Sequence, residues 1–147
     1  MKTFMPILFT IVLTLSACGR ATEMPAQDND PPAPQTGDYI PSPADSNLQR
    51  GNVFLDSTEL LTMESYPLQF MLVMKGSLPT PCHKLRIAVS PPDAQNNVAV
   101  DVYTVADPDD ICVQMLEPFE VNFPLGSFPE GRYILLVNGE KAAEFQS

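Results

Sequence analysis

The stretch YILLVNGEKAAEF, residues 133–145, combines the two signals that decide the fold. Every second residue from Tyr133 to Val137 is large and apolar, which puts one apolar face on an extended chain because successive side chains of a strand alternate. Asn138 and Gly139 follow, and this dipeptide is the strongest short signal for a β-hairpin, since a type I′ turn needs positive φ at both central residues. The stretch therefore predicts two strands joined by a tight turn, the second from about residue 141 to 145.

The same alternation of apolar and polar residues recurs upstream of this hairpin. Segments rich in Gly, Pro, Asn and Asp separate the alternating runs, as expected for turns. With the hairpin, these runs give about seven short strands and no helix after the N-terminal apolar segment. The pattern predicts an all-β fold, a single antiparallel β-sandwich. The earlier predicted strands cover residues 52–61, 68–74, 85–89, 98–102 and 119–125.

The segment from Phe128 to Tyr133, FPEGRY, resembles the approach to a late strand in immunoglobulin-like and fibronectin-like domains. The resemblance implies that Tyr133 packs at a corner of the sandwich and that the architecture is Ig-like. The chain has no tryptophan, so the core typical of antibody domains is not expected. The Ig-like domain is predicted to span residues 48–147, a length that suits one domain with a modest core.

The first residues have the order of a bacterial export signal. Lys2 supplies a positive charge, residues 4–15 are mainly apolar, and the small residues Ser16 and Ala17 come next. An apolar segment of about a dozen residues is too short for a stable membrane span, which needs roughly 20. The sequence therefore favours a signal peptide, residues 1–17, over a retained membrane helix.

The four residues Leu15-Ser16-Ala17-Cys18 resemble the lipobox of bacterial lipoproteins. The resemblance implies that Cys18 becomes the first residue and carries a lipid anchor with palmitate-type acyl chains. It places the protein in the bacterial cell envelope, held to a membrane by the lipid. With Gly19 in the next position, the expected destination is the outer membrane in a host with two membranes, and otherwise the outer face of the cell membrane. The alternative is an ordinary signal peptide followed by a chance cysteine.

Residues 18–47 are predicted to form a disordered tether behind the anchor. Six prolines lie between Pro25 and Pro43, acidic and amide residues are frequent, and apolar residues are sparse. Such a segment cannot bury enough apolar surface to offset the conformational entropy lost on ordering. A docking peptide for a partner is the alternative interpretation of the same residues.

Cys82 and Cys112 are left as an even pair once the lipobox resemblance assigns Cys18 to lipid. Two cysteines in an oxidising compartment usually form a disulfide. Free thiols with a redox or metal role are the alternative, although the Cys-x-x-Cys spacing is missing. His83 follows Cys82 directly, and adjacent strand residues point to opposite faces, which disfavours a Cys–His catalytic pair.

Other site chemistry is weakly represented in the sequence. A single histidine is too few for most zinc and copper enzymes. The acidic stretch DPDD, residues 107–110, suits either a solvent-facing turn or a calcium loop. We therefore predict no enzymatic activity and assign no catalytic residue, metal ligand or cofactor. Four methionines at strand positions are predicted to fill the core: Met63, Met71, Met74 and Met115.

The formal net charge of −10 argues against a nucleic-acid partner, which requires basic patches. The first functional hypothesis is a binding or structural module that contacts an envelope protein or glycan. The second is a protease inhibitor, or a protective factor, that uses residues 76–84, GSLPTPCHK, as a rigid exposed loop. The predicted contact surface comprises Pro79, Thr80, Pro81, His83, Asp107, Asp109 and Asp110.

Overall fold

The computed structural model describes residues 36–147, and eight strands make up most of them. A short helix α1 (Thr36–Tyr39) and a 3-10 helix (Pro43–Asn47) precede the strands. Within residues 36–147, neither helix has the length and apolar character needed to cross a membrane. The predicted signal peptide and Cys18 lie outside the described residues. The strands are β1 (Gln49–Gly51), β2 (Phe54–Met63), β3 (Gln69–Leu78), β4 (Lys84–Val89), β5 (Asn97–Ala106), β6 (Glu117–Gly126), β7 (Arg132–Val137) and β8 (Glu140–Gln146).

The strands form two sheets that pack face to face, which confirms the predicted β-sandwich. The smaller sheet has the order β2-β3-β6, and both of its pairings are antiparallel. In the larger sheet β4 pairs along one edge of β5. The other edge is shared, because β1 pairs with residues 104–106 and β7 with residues 97–100. β8 then pairs with β7.

Two features of the sheets differ from the sequence prediction. Residues 36–147 form eight strands instead of about seven, because β1 has only three residues and shows no alternation. The sandwich is also not wholly antiparallel, since β7 runs parallel to β5. The reason is the path of the chain: β6 lies in the opposite sheet and runs back along the domain, so β7 starts again from the same end as β5.

The core lies between the two sheets and uses the alternation seen in the sequence. Val98, Val100 and Val102 of β5 are all buried, as predicted. The alternation fails at strand ends, where Val89 of β4 and Leu68 before β3 are exposed. The prediction that four methionines fill the core is also wrong in part. Met74 is buried and Met71 half-buried, but Met63 at the end of β2 and Met115 in a loop are exposed.

An aromatic cluster closes the end of the sandwich where β3 and β7 begin. The rings of Tyr133 and Phe145 stack with centroids 5.2 Å apart, and Phe70 and Phe128 pack against Phe145 at 4.5 and 5.2 Å. The Tyr133 hydroxyl donates a hydrogen bond to the carbonyl of Pro129 at 3.1 Å. This buried tyrosine therefore makes the corner contact that the Ig-like resemblance implied.

The predicted hairpin turn between β7 and β8 is present, and Asn138 does more than turn the chain. Its φ is 50° and that of Gly139 is 85°, as a type I′ turn requires. β7 stops pairing with β5 at Val100, whereas β1 begins at Thr104. The Asn138 side chain fills the gap: Oδ1 accepts from the Val102 N–H at 2.7 Å, and Nδ2 donates to the Val102 carbonyl at 3.0 Å.

The segment before β1 is folded, and this moves the domain boundary. The Ser42 side chain caps the 3-10 helix, and Asp45 completes a capping box with the Ser42 N–H. Asp45 accepts two hydrogen bonds from Arg86 of β4, at 2.7 and 2.8 Å. Arg86 also donates to the carbonyl of Asp38 at 3.0 Å. Residues 38–45 were predicted to belong to the disordered tether, but they are bound to the folded domain. Amino-acid composition alone does not reveal these contacts.

Electrostatics reinforces this attachment. The hydrogen bonds from Arg86 lower the pKa of Asp45 to about 2, and the Ser42 backbone N–H contributes further. The hydrogen bonds to Asp45 in turn raise the pKa of the guanidinium. The side chains of Arg86 and Asp45 are only 11% and 12% exposed. Water therefore competes poorly for this ion pair.

Candidate functional site

A disulfide joins the two loops that were predicted to form the contact surface. Cys82 and Cys112 are bonded, with 6.1 Å between their Cα atoms and a sequence separation of 30. This confirms the predicted bridge. The Cys82 N–H also donates to the Cys112 sulfur at 3.2 Å. Closing a loop of this length stabilises the fold by about 3–4 kcal/mol in the chain-entropy account.

We call the joined loops, residues 79–83 and 107–116, the bridged surface. The first loop follows β3 and the second lies between β5 and β6. β3 is ten residues long, and the aromatic cluster lies at its opposite end. The bridged surface and the aromatic cluster are therefore separated by nearly the full length of β3. A strand rises about 3.3 Å per residue.

The first loop is a tight turn that presents little of itself to solvent. A hydrogen bond of 2.8 Å joins Thr80 Oγ1 to His83 Nδ1, and the His83 N–H donates to the Thr80 carbonyl at 3.1 Å. Thr80 is buried, and Pro79 and His83 are half-buried. Of the four residues predicted here, Pro81 alone is exposed. The predicted contribution of Thr80 to a contact surface is therefore wrong, because its hydroxyl holds the turn together from inside.

The proposed inhibitor loop, residues 76–84, is shorter than the sequence indicated. Gly76 and Leu78 are buried residues of β3, not loop residues. A Cβ atom at position 76 would collide with the carbonyl oxygen of Phe54, and it would lie 3.0 Å from the ring of Phe119. Glycine at position 76 therefore permits the close approach of β2. The prediction had assigned this residue to the loop.

The second loop begins with the three predicted aspartates, all of them exposed. Asp107 organises the turn, since its Oδ1 accepts from the Asp109 N–H at 3.0 Å and its carbonyl from the Asp110 N–H at 3.2 Å. Within the described part of the chain, no three His, Cys, Asp or Glu side chains are grouped as a metal site would need. The aspartates thus give the loop a turn and a local negative charge.

The loop continues with an exposed apolar run that the sequence analysis did not single out. Ile111 is fully exposed, and Val113, Met115 and Leu116 are each more than half exposed. Cys112 is turned toward Cys82, which leaves its neighbours on either side pointing away from the domain. The alternation of ICVQM is typical of a buried strand, so exposure was not expected from the pattern. The bridging cysteine near the start of the run, Cys112, was the available signal.

A second surface feature is a groove of about 660 Å³ along β5, beside the gap between β1 and β7. Arg50 of β1 forms two hydrogen bonds with Asp101, at 2.7 and 2.8 Å. Its guanidinium also lies 3.8 Å from the ring centroid of Tyr103. Asp101 and the Tyr103 ring thus hold the guanidinium of Arg50 in the lining of the groove.

The fold and the bridge define the class of this protein as a disulfide-linked two-sheet β-sandwich. Residues 72–147 match the family described as the ORF11 beta-sandwich domain. This match covers more than half of the chain, and the chain belongs to that family. The matched part begins within β3 and contains both bridged cysteines. No curated protein and no solved structure matches the chain.

Proposed function

We propose that this protein is a bacterial lipoprotein that presents its β-sandwich as a binding module at the cell envelope. The support for the anchor is the motif from Leu15 to Cys18 behind an apolar segment of signal-peptide length. With Gly19 after the cysteine, the outer membrane is the proposed location in a host with two membranes. A pair of bridged cysteines agrees with an oxidising compartment.

The exposed apolar run of the bridged surface carries the proposal of a binding role. Four large aliphatic or thioether side chains lie exposed within six residues, from Ile111 to Leu116. Contiguous apolar surface is costly to leave in water and commonly marks an interaction site. The disulfide fixes the loop at Cys112, so a partner would not bear the full entropy cost of ordering it. We propose that an envelope protein covers this run.

The anchor is tested by replacing the acylated thiol. We expect Cys18→Ser to move the protein from the membrane fraction to the soluble fraction of lysed cells. Cys82→Ser with Cys112→Ser is the matched control, because it also removes cysteines but leaves the lipid site intact. Retention of the Cys18→Ser protein in membranes that were washed with high salt contradicts the lipoprotein assignment.

The binding role is tested in living cells by placing a photo-cross-linking amino acid at Val113. Gln95 is the control position, because it is exposed in the loop before β5 at the other end of the sandwich. We expect a discrete cross-linked species at position 113 and none at position 95. Equal cross-linking at both positions, or none at either, removes the bridged surface as the contact site.

A further inference from the structure

We infer that the partner of the bridged surface is a protein with an apolar groove bordered by lysine or arginine side chains. The inference rests on the proposed function, because it assigns the chemistry of the partner that the same surface would bind. It follows from the kinds of side chain that surround the apolar run. It also follows from the electrostatic consequences of placing carboxylates beside it.

The apolar run provides shape and flexibility without aromatic rings. Ile111, Val113, Met115 and Leu116 are aliphatic or thioether side chains, and all four are exposed. Methionine adapts its unbranched side chain to irregular apolar surfaces and is enriched in protein interfaces. Sugar rings usually stack on aromatic faces, and residues 111–116 include no aromatic side chain. The composition therefore fits a protein surface better than a glycan.

The charged side chains that flank the run along the chain are all acidic, whereas the cationic residues Lys84 and Arg50 lie on the strands beside β5, each opposite Val105. Between residues 105 and 120 every charged side chain is acidic, and Asp107, Asp109 and Asp110 directly precede Ile111. These three aspartates are exposed. Glu120 lies further on in β6 and forms an ion pair with Lys75 at 3.0 Å. An apolar surface with a carboxylate border is complementary to an apolar groove with a cationic border.

The same charges disfavour two other occupants. A second copy of the chain would bring its own three aspartates against those of the first, and like charges opposite one another oppose association. Anionic lipid headgroups would be repelled in the same way, although acyl chains attract apolar side chains. A cationic protein surface is the occupant that gains from both the apolar run and the aspartates.

The test uses the purified full chain carrying Cys18→Ser and two synthetic amphipathic helical peptides. One peptide has leucine on one face and lysine on the other, and the matched peptide has glutamate in place of lysine. We expect the lysine peptide to bind at least about tenfold more tightly, a difference of about 1.4 kcal/mol. Its binding should weaken as the salt concentration rises. Equal binding of the two peptides, or tighter binding of the glutamate peptide, overturns the inference.

Variants locate the binding. Val113→Asp should abolish binding of the lysine peptide, whereas Tyr66→Asp should not, because Tyr66 is fully exposed in the β2–β3 turn, at the opposite end of β3 from residues 79–83. Asp109→Asn with Asp110→Asn should weaken binding and reduce its salt dependence. Both loop changes affect exposed side chains, and a circular dichroism spectrum checks that the fold is intact. If Val113→Asp binds as the parent does, the peptide binds elsewhere and the inference fails.

The competing occupants are measured with the same protein. Flotation with phosphatidylcholine vesicles, with and without phosphatidylglycerol, reports membrane binding, and sedimentation velocity reports self-association. Vesicle binding or dimerisation that Val113→Asp abolishes overturns the inference in favour of a lipid or a second copy. These outcomes are separable from failure of the proposed function, which is judged by membrane release at Cys18 and by cross-linking in cells.

Discussion

Two arginine–aspartate pairs flank β5 on the face of the larger sheet that points away from the core. Arg86 with Asp45 lies on the β4 side, and Arg50 with Asp101 lies on the β1 side. Both pairs have hydrogen bonds of 2.7 to 2.8 Å, but Arg86 donates from Nε and Nη2 to separate oxygens of Asp45, whereas Arg50 donates from Nη2 alone to both oxygens of Asp101. Their exposure differs greatly: the side chains are 11% and 12% exposed in the first pair, and 57% and 51% in the second.

The contrast teaches that hydrogen-bond length does not by itself set the energetic importance of an ion pair. Exposed pairs contribute little because water and salt screen them. A buried pair is costly to break, because the remaining group is left without its partner away from water. The Arg86 pair also joins two segments that lie 41 residues apart in sequence. It thereby attaches the residues around Asp45 to the folded domain.

The largest effect is expected from breaking the buried pair. Arg86→Ala should lower the free energy of unfolding by about 3 kcal/mol, near the low end of what removing one partner of a buried pair costs. The segment before β1 should also detach, because Arg86 holds both Asp45 and the Asp38 carbonyl. Urea denaturation measures the first change, and limited proteolysis between residues 38 and 47 measures the second. An unchanged proteolysis pattern would mean that other contacts hold the segment.

The next largest effect on the free energy of unfolding is expected from replacing Asn138, which fills the gap on the β1 side of β5. Asn138→Asp keeps a residue that tolerates positive φ, but it places a carboxylate oxygen against the Val102 carbonyl in place of an N–H donor. Because Asn138 is exposed, we expect a loss of about 1–1.5 kcal/mol, from one lost hydrogen bond together with repulsion between the carboxylate and carbonyl oxygens. Asn138→Gly is the matched control and should lose less, because water can replace the missing amide. Equal urea midpoints for the two variants would contradict this account.

Acid should weaken the buried pair in a defined pH range. The pKa of Asp45 is about 2 in the folded protein against an ordinary value of 3.8, so the unfolded chain takes up the proton first as the pH falls. The stabilisation is therefore fully present above about pH 4 and is lost progressively toward pH 2. The difference in unfolding free energy between the parent and Arg86→Ala should be constant at neutral pH and shrink in that range. A difference that stays constant down to pH 2 would show that the carboxylate is not responsible.

The smallest effect is expected at the exposed pair, which serves as the control for the first prediction. Arg50→Ala should change the free energy of unfolding by less than about 1 kcal/mol, since this pair is half exposed. This change includes the loss of the contact between the guanidinium of Arg50 and the Tyr103 ring. Thermal denaturation at low and high salt measures the effect. A loss as large as that of Arg86→Ala would remove exposure as the explanation of the contrast.

The parts of the fold that could be predicted from sequence depend on local regularities. The valines of β5 alternate because one face of that strand is buried, and Asn138 with Gly139 is required by the backbone of the turn. The Cys82–Cys112 bridge followed from counting cysteines, once Cys18 had been set aside. In each case a short stretch, or a simple parity argument, contained the information.

The parts that could not be predicted depend on contacts between distant residues. Nothing near Asp45 identifies Arg86 as its partner, so the segment had the composition of a disordered tether. Thr80 was taken for a surface residue because its hydrogen bond to His83 depends on how the bridged turn closes. The run from Ile111 to Leu116 was invisible because apolar alternation predicts burial unless something turns it outward. Here the run includes Cys112, which is bonded to Cys82.

The Asn138 side chain also has a consequence for assembly. A break between two strands along one edge of β5 would normally leave backbone groups to which a strand from another molecule can add. Here the N–H and carbonyl of Val102 are already occupied by the amide of Asn138. One side chain thus continues the hydrogen-bonding of the sheet across a place where no strand runs. The hairpin residue that reverses the chain therefore also leaves the backbone of Val102 unavailable to a strand of another molecule.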